Sequence, residues 1–287
     1  MKKAVILFNL GGPDKLESVE PFLFNLFNDP AIISIPSIIR YPLAKFISKR
    51  RAPIAKNIYK EIGNKSPILE LTQDQANSLE NNLSEKGEYK CFVVMRCWHP
   101  RASETINKVK QYNPEEIILL PLYPQYSAST SGSSIREWND LCKKENYKVK
   151  TKTICCYPTE KNFIISHTNL IKKTIKTLEN KNFKLLFSAH GLPENKIKKG
   201  DPYQWQIEQT VEAIMSNLNN ENLDYIISYQ SRVGPLKWIG PSTDETIIKY
   251  SKEKKGIIIV PVAFVSEHSE TLVELDIEYK KLAEKNG

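Results

Sequence analysis

The 287-residue chain lacks the features that mark several large protein classes. Its five cysteines (Cys91, Cys97, Cys142, Cys155, Cys156) are odd in number and contain no C-x-x-C spacing, so neither a disulfide framework nor a cysteine zinc motif is written here. Three of them lie in apolar runs, where a reduced thiol packs as a small hydrophobe, and a reducing compartment is expected. No stretch approaches the roughly 18 unbroken apolar residues of a membrane-spanning helix. The opening Met-Lys-Lys meets a short apolar run and then Gly-Gly-Pro, without the cleavage site of a signal peptide. The protein is expected in the cytoplasm. The phosphate loop G-x-x-x-x-G-K-[ST], the G-x-G-x-x-G fingerprint and H-E-x-x-H are missing, and Pro13 removes an N–H that a phosphate cradle after Gly11-Gly12 would need. Nucleotide binding is disfavoured.

What remains is an ordinary globular mixture, 40% hydrophobic and 26% charged, long enough for one large or two medium domains. The net charge of +8 is spread over scattered lysines, with no dense block to track a phosphate backbone, so no nucleic-acid partner is expected. Residues 32–51 (IISIPSIIRYPLAKFISKRR) differ, interleaving Ile, Leu, Phe and Pro with Arg40, Lys45, Lys49, Arg50 and Arg51. Such a segment suits an anionic lipid surface or an amphipathic anion.

Seven short runs rich in Val, Ile and Leu predict buried strands at 3–10, 90–96, 116–122, 148–156, 183–189, 223–230 and 256–264. Helical patterns occupy 14–27, 53–62, 68–85, 100–110, 131–144, 159–178, 201–217 and 267–285. Continuous apolar strands alternating with helices predict a doubly wound α/β fold with parallel sheets. LFNLGGP after the first strand is echoed by LFSAHGLP after the fifth, and IILLPL by IIIVPV, which predicts two similar lobes, 1–157 and 158–287.

In such folds ligands gather at the carboxyl ends of strands. His190, ending a strand before Gly191 and Pro193, and His268, opening the last helical pattern, are delivered there. At 100° per residue Glu267, Glu270, Glu274 and Glu278 form one stripe within roughly 80° of arc. Crowded carboxylates hold protons more tightly, which suits both a base and a cation path, and oxygen and imidazole ligands suit Fe(II), Mn or Zn.

In chain order, LFNLGGP, ISKRRAP (47–53), Gly63 with Ser66-Pro67-Ile68, MRCWHP (95–100), LPLYPQYSASTSGS (120–133), FSAHGLP (187–193), Gly200-Asp201-Pro202-Tyr203, YQSRVGPLKWIGP (229–241) and FVSEHSETLVELDIEY (264–279) resemble the ferrochelatases, which insert Fe(II) into protoporphyrin IX to give haem. The resemblance implies two Rossmann-like lobes around a porphyrin cleft. It implies His190 and Glu270 as the catalytic pair, and His190, Glu270, Glu267, His268, Glu274 and Glu278 as the residues that meet metal or carry protons away. Leu10, Tyr59, Ser66, Arg96, Tyr123, Pro193 and Trp238 match substrate positions, and Arg50 and Arg51 the lip where propionates and membrane are met. Iron is then a substrate and no other cofactor is implied.

The chain departs from the family pattern at Asn64 and Lys65, where two glycines are usual, and at Cys97, where tyrosine is common. It also stops at Gly287, without the tail in which some members hold a [2Fe-2S] cluster, so no cluster is expected. A chelatase of this architecture for coproporphyrin or cobalt, and a tetrapyrrole carrier without catalysis, are the competing expectations.

Overall fold

The structure, a computed structural model, describes residues 1–179, 182–219, 223–232 and 236–287. The middle of the expected YQSRVGPLKWIGP motif, 233–235, lies outside the described residues. The chain divides into two compact units. The first comprises Met1–Tyr123, Ser127–Cys156 and Val265–Glu270; the second comprises Pro124–Tyr126, Tyr157–Phe264 and Thr271–Gly287.

The first unit holds β1 (Lys2–Asn9), α1 (Val19–Phe27), α2 (Ser37–Lys60), α3 (Ile68–Leu83), β2 (Glu88–Met95), α4 (Ala102–Tyr112), β3 (Glu116–Pro121), α5 (Ser131–Lys144) and β4 (Lys150–Thr153). The strands form a parallel sheet in the order β2-β1-β3-β4. β1 reads KKAVILFN, and from Ala4 onward every residue is buried, as a central strand covered on both faces requires. Ala4, Ile6 and Phe8 pack toward α4 and Trp138 of α5, while Val5 and Leu7 pack with Ala76 of α3.

The second unit holds α6 (Lys161–Thr177), β5 (Phe183–His190), α7 (Glu194–Lys198), α8 (Tyr203–Leu218), β6 (Tyr225–Gln230), α9 (Thr243–Lys252), β7 (Gly256–Pro261), a π-helix (Glu270–Tyr279, its first residue counted with the first unit) and α10 (Lys280–Lys285). Its parallel sheet runs β6-β5-β7. Leu185, Phe187 and Ala189 face Ile207, Val211 and Ile214 of α8, whereas Leu186 faces Ile247, Leu275 and Tyr279. Both sheets are therefore doubly wound, as the alternating pattern predicts. The echo between LFNLGGP and LFSAHGLP is also structural. β1 sits between β2 and β3 as β5 sits between β6 and β7. The N–H of Leu122 donates to the Phe8 carbonyl at 2.8 Å, and that of Val262 to the Ser188 carbonyl at 3.1 Å.

Several elements depart from their sequence expectations. The helix expected at 53–62 is the end of the longer α2, which continues through Pro42 and Pro53. Its buried stripe, Ala44, Ser48, Ala52 and Tyr59, keeps one face across both prolines, so packing overrides the ring's local penalty. The strand expected at 148–156 shrinks to Lys150–Thr153, an exposed edge whose Lys150 and Lys152 both reach Glu116, at 3.4 and 3.1 Å. α9 and α7 have no counterpart in the sequence reading. The acidic segment expected as one α-helix over 267–285 is a π-helix followed by α10, and Glu267 and His268 precede it in irregular chain. A π-helix takes more than 3.6 residues per turn, so positions four apart fall short of a full turn instead of overshooting it. The stripe drawn at 100° per residue does not apply there. Among the described residues no helix is long and apolar enough to cross a membrane.

Candidate active site

In the first unit the expected substrate residues gather at the carboxyl end of β1. Leu10 and Tyr59 share an apolar cluster with Val19, Phe22, Ala52 and Cys97. Ser66 is fixed by its own N–H, which donates to the Pro13 carbonyl at 2.8 Å, and it packs so closely on Gly12 that a Cβ there would come within 2.5 Å of the serine side chain. This explains the second glycine of LFNLGGP by close approach and not by backbone twist.

Arg96 is embedded in acceptors. Its Nη2 lies 3.0 Å from Asp29 Oδ2, its Nη1 3.2 Å from Glu137 Oε1, and its Nε donates to Ser133 Oγ at 2.8 Å. Arg101 approaches the same Glu137 oxygen at 2.7 Å. Beside this network a concavity of about 370 Å³ is lined by Arg96, Asp29, Ser133, Arg136, Glu137 and Lys144 among others. The hydroxyl of Tyr123 is buried, and burial pushes its phenol above the usual range. Arg50 and Arg51 stand exposed on α2.

The segment Val265–Glu270 is clipped onto this unit. Gln75 Nε2 donates to the Val265 carbonyl at 2.5 Å, Ser266 Oγ donates to Gln75 Oε1 at 3.1 Å, and Asn9 Nδ2 donates to Thr72 Oγ1 at 3.0 Å and Ser266 Oγ at 3.4 Å. Tyr59 is 6% exposed, and burial, opposed by a hydrogen bond with Ser269 and reinforced by the charge of Glu270, pushes its phenol up to about 12. The phenol is therefore a proton donor at neutral pH. Glu270 and His268 are half-buried and Glu267 is exposed.

In the second unit His190 ends β5, half-buried and in register with Gln230 of β6. The turn after it is stapled down. The Gly191 N–H donates to the Gln230 carbonyl at 2.9 Å, Ile239 N–H to Leu192 at 3.0 Å, and Glu194 N–H to Lys237 at 2.9 Å, with Pro193 and Trp238 as an antiparallel bridge. A Cβ on Gly191 would lie 3.0 Å from the Gln230 carbonyl and 3.3 Å from the Trp238 ring. Glu274 accepts from Ser231 twice, from N at 3.2 Å and Oγ at 2.5 Å, and from the Tyr279 hydroxyl at 3.0 Å. Tyr279 shares its single proton with Asp244 at 3.1 Å, and burial together with both carboxylates raises its phenol. Ser231 is held at φ +59°, a conformation a serine seldom adopts, which these bonds to Glu274 help fix. Glu278 is exposed.

The sequence reading missed the groups that hold these residues: Asp29 and Glu137 around Arg96, Asn9 and Gln75 under the returning segment, and Ser231, Asp244 and Tyr279 around Glu274. Asn9, Ser231 and Tyr279 lay within motifs already singled out, as did Ser133 beside Arg96, but without a role assigned to them. Among the described residues no three His, Cys, Asp or Glu side chains converge tightly enough to hold an ion.

Comparison with known proteins bears on the chemistry. The ferrochelatase family profile matches residues 2–287. A ferrochelatase of Pelagibacter ubique is 70% identical over 290 residues, covering 100% of this chain and 84% of that protein. One from Rickettsia bellii is 52% identical, covering 98% of this chain and 78% of its own length, and one from a Wolbachia strain of Drosophila simulans is 54% identical, covering 98% and 90%. The chain belongs to the ferrochelatase family, metal chelatases of the lyase class that insert ferrous iron into a porphyrin in haem biosynthesis.

Proposed function

We propose that the porphyrin is protoporphyrin IX and that His190 accepts its pyrrole protons. Metallation must strip water from Fe(II), remove two N–H protons and bend a flat ring so that nitrogen lone pairs meet the ion. The observation that carries the reading is the stapled turn after His190. Its hydrogen bonds to Gln230, Lys237 and Ile239 tie the backbone that follows His190 to the backbone on either side of Trp238. A turn tied in this way can favour a distorted macrocycle over a planar one, which lowers the barrier. A positioned general base contributes about 10²–10⁴ in rate.

Glu270, beside Tyr59, is assigned the next step of proton removal, with Glu267, His268, Glu274 and Glu278 as the path along which iron or protons move. Glu274 serves that path as a fixed carboxylate, since Ser231 and Tyr279 hold both its oxygens. Leu10, Tyr59, Ser66, Arg96 and Tyr123 of the first unit, and Pro193 and Trp238 of the second, are assigned to porphyrin binding, and Arg50 and Arg51 favour its carboxylates. Iron is substrate throughout, and the proposal assigns no iron–sulfur cluster and no nucleotide.

The exposed side of α2 supports a peripheral membrane contact. At 3.6 residues per turn, Ile39, Leu43, Phe46, Arg50 and Ile54 fall within roughly 80° of arc opposite the buried stripe. Ile39, Phe46 and Ile54 are 56%, 61% and 65% exposed, and Ile38 is 83% exposed. An apolar face edged by arginine and lysine suits an anionic membrane from which an apolar substrate is delivered.

Anaerobic Fe(II) insertion into protoporphyrin IX and coproporphyrin, followed by fluorescence loss, tests the assignment. The expected result is faster turnover of protoporphyrin IX, and a rate at least 100-fold lower in His190→Ala with porphyrin binding retained. A preference for coproporphyrin would refute the substrate, and an undiminished rate in His190→Ala would refute the base.

A further inference from the structure

Cys155 and Cys156 follow β4 at the point where the chain leaves the first unit, and their sulfurs lie 3.3 Å apart. Cys155 is exposed and Cys156 half-buried, and no described cysteine forms a disulfide. The remaining thiols are of another kind. Cys91 and Cys97 are 9% and 1% exposed, and burial pushes both thiols up to about 12, which leaves almost no thiolate at neutral pH. Cys142 lies on α5 with its thiol also raised by burial.

Oxidation is not what this pair is shaped for. Adjacent residues have Cα atoms about 3.8 Å apart, short of the roughly 4.4 Å at which ordinary disulfides begin. Chelation is a different matter. With sulfur-to-ion bonds of about 2.3 Å, a 3.3 Å bite gives an angle at the ion of roughly 90°. That is too narrow for tetrahedral zinc, which also needs further protein ligands, and far from the straight arrangement of a two-coordinate soft cation. A near-right angle is what a pyramidal trivalent centre with a lone pair takes, and two thiols suffice when its third substituent is organic.

We infer that Cys155 and Cys156 form a chelating dithiol site for a monosubstituted trivalent arsenical. For a dihydroxyarsine, two S–H and two As–O bonds break, two As–S bonds form and two water molecules leave. Arsenic stays trivalent and no oxidant or reductant is required. The site shares no residue with the carboxylate and imidazole set assigned to iron, and its two sulfur donors suit a softer class of ligand than the substrate metal.

The test uses the reduced full-length chain and phenylarsine oxide, which hydrates to such a species. One equivalent is expected to remove two thiols from titration with a chromogenic disulfide. The resulting adduct, read by intact mass, should survive excess 2-mercaptoethanol and be removed by 2,3-dimercaptopropanol. Cys155→Ser and Cys156→Ala should each lower monothiol-resistant adduct at least tenfold, while Cys142→Ser leaves it unchanged. Stripping of the parent adduct by 2-mercaptoethanol, or its persistence in Cys155→Ser, would overturn the assignment.

Discussion

The carboxylate of Asp29 meets the guanidinium of Arg96 at 3.0 Å, and the same Asp29 oxygen accepts the Ser133 hydroxyl at 2.6 Å. The side chains of Asp29 and Arg96 are only 2% and 13% exposed, so the pair orients the arginine from a site where solvent cannot substitute for it. Removing one partner strands the other. Asp29→Ala is expected to cost about 3 kcal/mol, at the low end for a broken buried pair because Glu137 still reaches Arg96. Urea unfolding of Asp29→Ala and Asp29→Asn measures it, and a loss below about 1 kcal/mol in the alanine variant would show that Glu137 alone suffices.

Gly12 and Ser66 occupy one another's space. Gly12→Ala should destabilise the chain by about 1–3 kcal/mol, since its Cβ would sit 2.5 Å from the serine side chain. Adding Ser66→Gly should recover part of that loss. A double-mutant cycle without coupling between the two positions would remove the steric explanation.

Alkaline pH should unfold the protein through groups that stay protonated only when buried. The Cys97 thiol rises from 9.0 to about 12 and the Tyr59 phenol from 10.0 to about 12. Above pH 9 the unfolded thiol loses a proton that the folded one keeps, and above pH 10 the phenol does likewise. Unfolding then releases protons, so stability is full below pH 9 and falls as pH rises toward 12. Each group steepens the fall by up to about 1.4 kcal/mol per pH unit. Denaturation at pH 8, 9 and 10 reads the slope, and Cys97→Ala should flatten it; identical slopes would contradict the assignment to Cys97.

The exposed face of α2 should bind anionic lipid. Phe46→Asn combined with Ile54→Asn is expected to weaken sedimentation with vesicles of phosphatidylserine and phosphatidylcholine about tenfold or more, with folding unchanged because both side chains already face solvent. Binding of the parent chain should also fall with salt, since Lys45, Lys49 and Arg50 contribute through screened charge. Salt-independent binding, or equal binding by the variant, would move the contact elsewhere.

The legible part of this molecule was whatever a buried apolar run dictates. β1, β3 and β5 show themselves in sequence because a central parallel strand must be apolar on both faces, β7 reads as an apolar run although it lies at the edge of its sheet, and the repeat of two lobes is visible as LFNLGGP against LFSAHGLP. α2 was obscured by Pro42 and Pro53, whose local cost is outweighed by the stripe from Ala44 to Tyr59. The 148–156 run misled because Ile154 and Cys155 are apolar yet exposed. No periodicity announces the π-helix, whose winding departs from the 3.6-residue repeat on which helix patterns are read. Among the proposed site residues, His190 and the carboxylates stand out in the sequence by their rarity or clustering. Asp29, Ser231 and Asp244 do not, because a residue that merely holds another is recognised only once the chain has brought them together.

The return of Val265–Glu270 to the first unit has a bearing on biosynthesis. A ribosome makes most of that unit as residues 1–156, but the hexapeptide that engages Asn9, Gln75 and Tyr59 is made only after β5, β6 and β7. Through most of translation the nascent polypeptide therefore carries an incomplete module, with polar groups of Asn9 and Gln75 awaiting partners. Synthesis of residues 265–270, and not of the first 156, is the event that allows the module to close.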